Sequence, residues 1–114
     1  PTEQAQLLAR LDALPADTVV FSNDATTLYF LSERPAVSVP ARRWQESEAV
    51  NEGFDDELAD LVDLVREGRA VVVLYPGPAF FNDDLVTAAE LDVAGIDQVE
   101  VDGAVLVMAA GSPT

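Results

Sequence analysis

The sequence contains no cysteine, no histidine and no lysine. Without cysteine there is no thiol nucleophile, disulfide or thiolate metal ligand. Without histidine there is no imidazole base and no zinc site of the Cys/His type. Without lysine there is no Schiff-base or phosphate-gripping ammonium, which excludes a phosphorylated receiver domain despite a similar βα order. The six glycines are scattered, so no glycine-rich phosphate loop forms. No apolar run approaches the ~20 residues of a membrane-spanning helix, and no signal-peptide pattern is read in these 114 residues. Cysteine-free composition fits an oxidising exterior and the cytosol equally.

Positive charge is scarce. Six arginines face 21 acidic side chains, for a net charge of −15. Such a field repels phosphate backbones and anionic lipids, so nucleic acid is not an expected partner. A salt-rich habitat or a GC-rich genome accounts for the acidity without any functional role. What is plentiful is apolar: 49% of the 114 residues are hydrophobic, enough for a core in one domain of ordinary size. A domain of this size needs no disulfide or metal staple.

Helical spacing of Leu7, Leu8, Leu11 and Leu14 predicts a helix over 3–13, stopped by Pro15. Thr18 to Ser22 reads as a buried strand, Asn23-Asp24 as a turn and helix cap, and Ala25 to Glu33 as a short helix. Ala36 to Val39 is a second strand closed by Pro40, and 41–53 is a polar loop or ragged helical turn, expected to be the most mobile part. Asp55 to about Glu67 is an amphipathic helix ending at Gly68. Ala70 to Tyr75 is an unbroken apolar strand with both faces covered. Asn82 or Asp83 offers a cap for a helix through Glu90. Gln98 to Val101, the turn Asp102-Gly103 and Ala104 to Met108 form a hairpin.

Strands alternating with helices imply an α/β fold: a three-layer α/β/α, Rossmann-like, mostly parallel sheet with a C-terminal antiparallel hairpin. Residues 1–114 read as one domain. The sequence opens at Pro1 directly in a helical pattern, which is what a piece of a larger protein looks like.

In such folds ligands lie beyond the carboxyl ends of the parallel strands. That places Ser22, Asn23, Asp24 and Tyr75 in view. Asp24, Asp83 and Asp84 are candidate oxygen ligands for Mg²⁺ in phosphate-ester hydrolysis; each also stands where a helix begins and serves equally as a cap. Ser22 has no histidine partner, so it reads as a turn residue. Arg34, Arg42, Arg43 and Trp44 are the main concentration of positive charge. They suit an anionic or sugar-bearing ligand or a neighbouring domain. The alternative is an ion-pair patch answering Glu46 and Glu48, with Trp44 covering the core.

The stretch Leu14-Pro15-Ala16-Asp17-Thr18-Val19-Val20-Phe21-Ser22-Asn23-Asp24, followed by Leu28-Tyr29-Phe30-Leu31-Ser32-Glu33-Arg34-Pro35-Ala36 and Pro40, resembles a known pattern. It is similar to the soluble C-terminal domain of polytopic membrane glycosyltransferases, the protein mannosyltransferase-like and aminoarabinose transferase-like superfamily. There a hydrophobic strand ends in Ser-Asn, a Leu-Tyr-x-Leu-Thr/Ser-x-Arg helix follows, and the next strand ends in Pro. Val71 to Tyr75 and Asp102-Gly103-Ala104 also fit. The resemblance implies a non-catalytic domain at the extracytoplasmic face of the cell membrane, joined to membrane helices that use a polyprenyl-phosphate sugar. It implies no cofactor here, a glycan or lipid-linked sugar as possible ligand, and a role in acceptor binding or docking. Catalytic carboxylates would lie in the membrane part. Asn23, Tyr29 and Arg34 match the motif and would hold the turn and helix together. The competing expectations are a small Mg-dependent hydrolase using Asp24, Asp83 and Asp84, and a free-standing interaction module contacting partners through the Arg34–Trp44 region.

Overall fold

The computed structural model describes residues 5–41, 49–75 and 86–111. Its elements run α1 (Ala5–Asp12), β1 (Val19–Ser22), α2 (Ala25–Ser32), β2 (Ala36–Ser38), α3 (Phe54–Arg66), β3 (Ala70–Leu74), a 3₁₀ turn (Ala89–Leu91), β4 (Ile96–Val101) and β5 (Ala104–Ala109). The α/β class and the closing hairpin are as expected from the sequence. Arg42, Arg43, Trp44, Asp83 and Asp84 lie outside the described residues, as do 82–85 of the helix expected through Glu90; its described part, 86–90, is not α-helical and enters only the 3₁₀ turn at Ala89–Leu91.

The five strands form one sheet in the order β2-β1-β3-β5-β4. β1 pairs in parallel with β2 and β3; β5 pairs antiparallel with β3 and β4. The sheet is therefore mixed, which corrects the mostly parallel arrangement expected from the βα alternation. The physical reason lies in the hairpin. β4 carries Asp97, Gln98 and Glu100, whereas β5 is Ala-Val-Leu-Val-Met-Ala and largely buried. The apolar strand takes the inner position beside β3, and the polar one is left at the edge, where solvent reaches it.

All five residues of β3 are buried. Alternate residues of a strand face opposite sides of a sheet, and β3 divides its side chains accordingly. Val71, Val73 and Tyr75 join Leu7 and Leu11 of α1 and Leu28 of α2 in one cluster. Ala70, Val72 and Leu74 join Leu61 and Val65 of α3 in the other. This explains why β3 reads as an unalternating apolar run.

The ends of elements follow local chemistry. The α3 helix closes on Gly68 at φ 74°, with Arg69 N–H donating to the Leu64 carbonyl at 2.9 Å and Gly68 N–H to that of Val65 at 3.0 Å. That is a Schellman closure, which needs a left-handed residue and takes glycine at no steric cost. The β4–β5 turn places Asp102 at φ 52° and Gly103 at φ 85°, the left-handed pair required by a type I′ hairpin.

Candidate functional site

β1 and β3 are parallel neighbours whose following connections leave in opposite directions, to β2 on one side and towards β5 and β4 on the other. Their carboxyl ends mark the switch point, where this kind of sheet opens a crevice. Here the chain bridges that point itself. The Asn23 Nδ2 donates to the Tyr75 carbonyl at 2.9 Å, and the Tyr75 N–H donates to Asn23 Oδ1 at 2.9 Å. An amide side chain carries one donor group and one acceptor on the same carbon. Asn23 therefore extends the β1–β3 ladder by one further pair of bonds, across a sequence separation of 52 residues.

The neighbouring polar groups are also engaged. Ser22 is fully buried, and its Oγ accepts from the Asp24 N–H at 3.0 Å. The Asp24 carboxylate accepts from the Thr27 N–H at 3.3 Å and so caps α2. Asp24 thus takes the cap role of its two sequence readings. Among the described residues no group of three or more carboxylates is placed to hold a metal ion. Asp83 and Asp84 fall outside them.

Tyr75 is buried at 8% exposure. Burial raises its phenol pKa above the ordinary 10.0, and the Asp24 carboxylate raises it further. Both act by disfavouring the phenolate. The phenol thus stays protonated and neutral around neutral pH. Ser22, Asn23, Asp24 and Tyr75 together make a satisfied polar seam. They contain no nucleophile paired with a base.

Arg34 lies elsewhere and is used differently. Its Nη1 donates to the carbonyls of Leu11 at 3.0 Å and Leu14 at 3.5 Å. Its Nη2 donates to those of Thr18 at 3.0 Å and Pro15. The guanidinium gathers backbone carbonyls where α1 ends and the chain turns into β1, two of which, those of Leu11 and Pro15, also accept from the N–H groups of Leu14 and Thr18. These bonds tie the end of α2 to the α1–β1 connection, while Arg34 stays half-buried and borders the groove between α1 and α2. Ser32 assists: its Oγ donates to the Leu28 carbonyl at 2.7 Å and accepts from the Arg34 N–H at 3.1 Å. Tyr29, the third motif residue, is half exposed, and its ring meets that of Phe30 edge-on at 6.2 Å.

Two organising residues escaped sequence reading. The Asp102 Oδ2 accepts from the N–H groups of Gln6 at 2.8 Å and Leu7 at 3.0 Å, capping α1 from the far end of the chain. Asp-Gly signals the hairpin, but nothing local signals that its carboxylate meets a helix. Asn51 is buried; its Nδ2 donates to the Ala41 carbonyl at 2.8 Å and to Glu57 Oε1 at 2.6 Å. It ties the two described ends of the 41–53 stretch to the first turn of α3. The signal available for it was an amide immediately before a helix start.

Among the described residues, surface grooves include three that Asn23, Asp24 and Tyr75 do not line. One of about 420 Å³ lies between α1 and α2, bordered by Leu8, Ala9, Leu31 and Arg34. One of about 300 Å³ lies between the β2 edge and α3, with Phe21, Val37, Glu57 and Asp60 on its walls. The third, about 420 Å³, lies at the α3 N-terminus beside Val50, Asn51 and Glu90. Among the described residues no helix is long and apolar enough to cross a membrane. No protein-family model, curated protein or solved structure matches the chain.

Proposed function

We propose that this chain is a non-catalytic accessory domain of a membrane-embedded, polyprenyl-phosphate-sugar-dependent glycosyltransferase, placed at the extracytoplasmic face and assisting acceptor binding or docking on the membrane part. In this reading its architecture is the Rossmann-like three-layer type, with the hairpin as an antiparallel extension. The observation that carries the non-catalytic half is the two-bond bridge between Asn23 and Tyr75. It uses the polar groups at the switch point to hold the strands, where an enzyme of this architecture would present them to a substrate. The glycosyltransferase half is supported by the motif resemblance, within which Arg34 serves a holding role.

The test is the complete reading frame and its product. The expected gene encodes many apolar helices ahead of Pro1. Its membrane fraction moves labelled sugar from a polyprenyl-phosphate donor, and deleting residues 1–114 raises the acceptor KM more than it lowers turnover of the donor. A frame without apolar helices overturns the membrane assignment. Mg²⁺-dependent cleavage of a phosphate ester by the 114-residue chain alone, abolished by Asp83→Asn, overturns the non-catalytic one and selects the hydrolase.

A further inference from the structure

Asp102 serves two structures at once. It is the first left-handed residue of the β4–β5 turn, at φ 52°, with Gly103 beside it at φ 85°. Its Oδ2 also accepts from the Gln6 N–H at 2.8 Å and the Leu7 N–H at 3.0 Å, so the hairpin tip holds the start of α1. Among the described residues, α1 has no acidic side chain in its own first turn, and the Asp102 charge complements the helix dipole from outside. Leu7 and Leu11 of α1 share a core cluster with Val101 and Ala104, the residues on either side of the turn. The cap and the packing therefore hold the same helix to the same hairpin.

Asp102-Gly103 is also the single Asp-Gly pair in the sequence, and that pair has a chemistry of its own. The nitrogen after an aspartate attacks the aspartate's carboxyl carbon when no side chain stands in the way. Gly103 is exposed, with open space where a Cβ would be. The Gly103 nitrogen gives up its proton and bonds to Asp102 Cγ. One carboxylate oxygen leaves as water, taking that proton and one from solvent, and a five-membered succinimide closes. Water then opens the ring. Breaking the bond between the nitrogen and Cγ restores aspartate; breaking the bond between the nitrogen and the Asp102 main-chain carbonyl carbon gives isoaspartate, an isomer of unchanged mass. No oxidant, cofactor or enzyme enters. Ring closure turns the carboxyl carbon onto the Gly103 nitrogen and expels one of its oxygens, so the carboxylate must first release α1. We propose that Asp102 is an isoaspartate modification site gated by α1. The docked helix suppresses ring closure, and opening of the cap permits it. Conversion then makes the opening permanent, because isoaspartate adds a carbon to the main chain of a two-residue turn and moves the carboxylate off its side-chain stem. Both the type I′ geometry and the α1 cap are lost. The inference goes beyond the function proposed above and does not depend on it.

The test ages the 114-residue chain near neutral pH, native and in urea, and follows isoaspartate at residue 102 by electron-transfer fragmentation, which separates it from aspartate. The native chain is expected to convert about tenfold or more slowly than the unfolded one, the factor supplied by a helix cap of ordinary strength. Asp12 and Asp24, each followed by alanine, serve as internal references and convert more slowly than Asp102 in urea. Gln6→Pro deletes one of the two donors near a helix start, where proline is tolerated. Leu11→Ala loosens α1 from Val101 and Ala104 without touching the turn. Both are expected to speed native conversion severalfold, in step with hydrogen exchange at the Leu7 amide, which reports opening of the cap. Gly103→Asn keeps a residue that accepts a left-handed φ but crowds the attacking nitrogen, and is expected to convert little even in urea. Absence of isoaspartate at 102 in unfolded wild type overturns the site. Equal native and unfolded rates overturn the gate, and so does a rate that stays at the wild-type value in variants whose Leu7 amide exchanges faster.

Discussion

The carboxyl ends of β1 and β3 and the outer side of α2 make opposite uses of their residues. At the strand ends, polar groups that sequence reading marks for ligands are bonded to one another: Asn23 to Tyr75, Ser22 to Asp24, Asp24 to Thr27. On α2, large apolar side chains stand in solvent, with Phe30 the most exposed of those described. A polar group in a promising place loses its binding potential once its bonds are made internally. An apolar group keeps its potential until something covers it. The comparison moves the search for a partner away from the switch point and onto the helix.

The sharpest way to break this comparison is to substitute the two sides of α2 itself. Leu28 is fully buried, so Leu28→Ala is expected to cost about 2–5 kcal/mol through lost burial and the cavity left behind. Phe30→Ser, two residues on, belongs at the other extreme, within about 0.5 kcal/mol of wild type. Urea unfolding of the two variants measures both. Comparable losses would mean that Phe30 is part of the core and that the α2 face is not an open surface.

A smaller effect is expected at the strand ends. Asn23→Ala removes both bonds to Tyr75 and leaves the Tyr75 N–H and carbonyl without this partner. Orphaning part-buried groups costs about 1–3 kcal/mol, and amide hydrogen exchange should quicken at Tyr75 before it does at Val72. An unchanged urea midpoint would show that the seam is not what holds β1 to β3 at this end.

The smallest effect is a pH dependence. The Tyr75 pKa is raised in the folded protein, by burial first and then by Asp24. The folded chain therefore holds that proton more tightly than the unfolded chain does. Its contribution to stability is fully present below the unfolded value of about 10 and is lost as pH rises through the folded value. Wild-type stability is expected to fall above pH ~10 more steeply than that of Tyr75→Phe. Parallel urea-midpoint profiles for the two would show that the phenol is solvated in the fold.

Much of the fold was legible because its signals are local. Gly68 follows the last apolar residue of α3 and closes the helix; Asp24 precedes α2 and caps it; Asp102-Gly103 divides two apolar runs and turns the hairpin. Each of these needs only a few neighbouring residues to operate. The candidate site was legible in part. Asn23 and Tyr75 were singled out by their positions after strands, but their mutual bonds depend on β1 and β3 being paired in register, Ser22 opposite Val73. The misjudged sheet has the same origin, since alternation of helices and strands says nothing about which strand of a hairpin goes inside.

Composition and spacing alone settled the chemistry denied to this protein, the acidic field, the α/β class and the stops and starts of the helices. Those follow from side-chain inventory and from backbone preferences that act over one or two turns. Tertiary packing decided the rest: that β5 lies inside and β4 outside, that Asp102 caps a helix 95 residues away, that Arg34 bonds the carbonyls at the end of α1, and that α2 is left half-covered. Each of these is a pairing between distant segments. Its energy exists only after the chain has brought both partners together, so neither partner carries the mark of it alone.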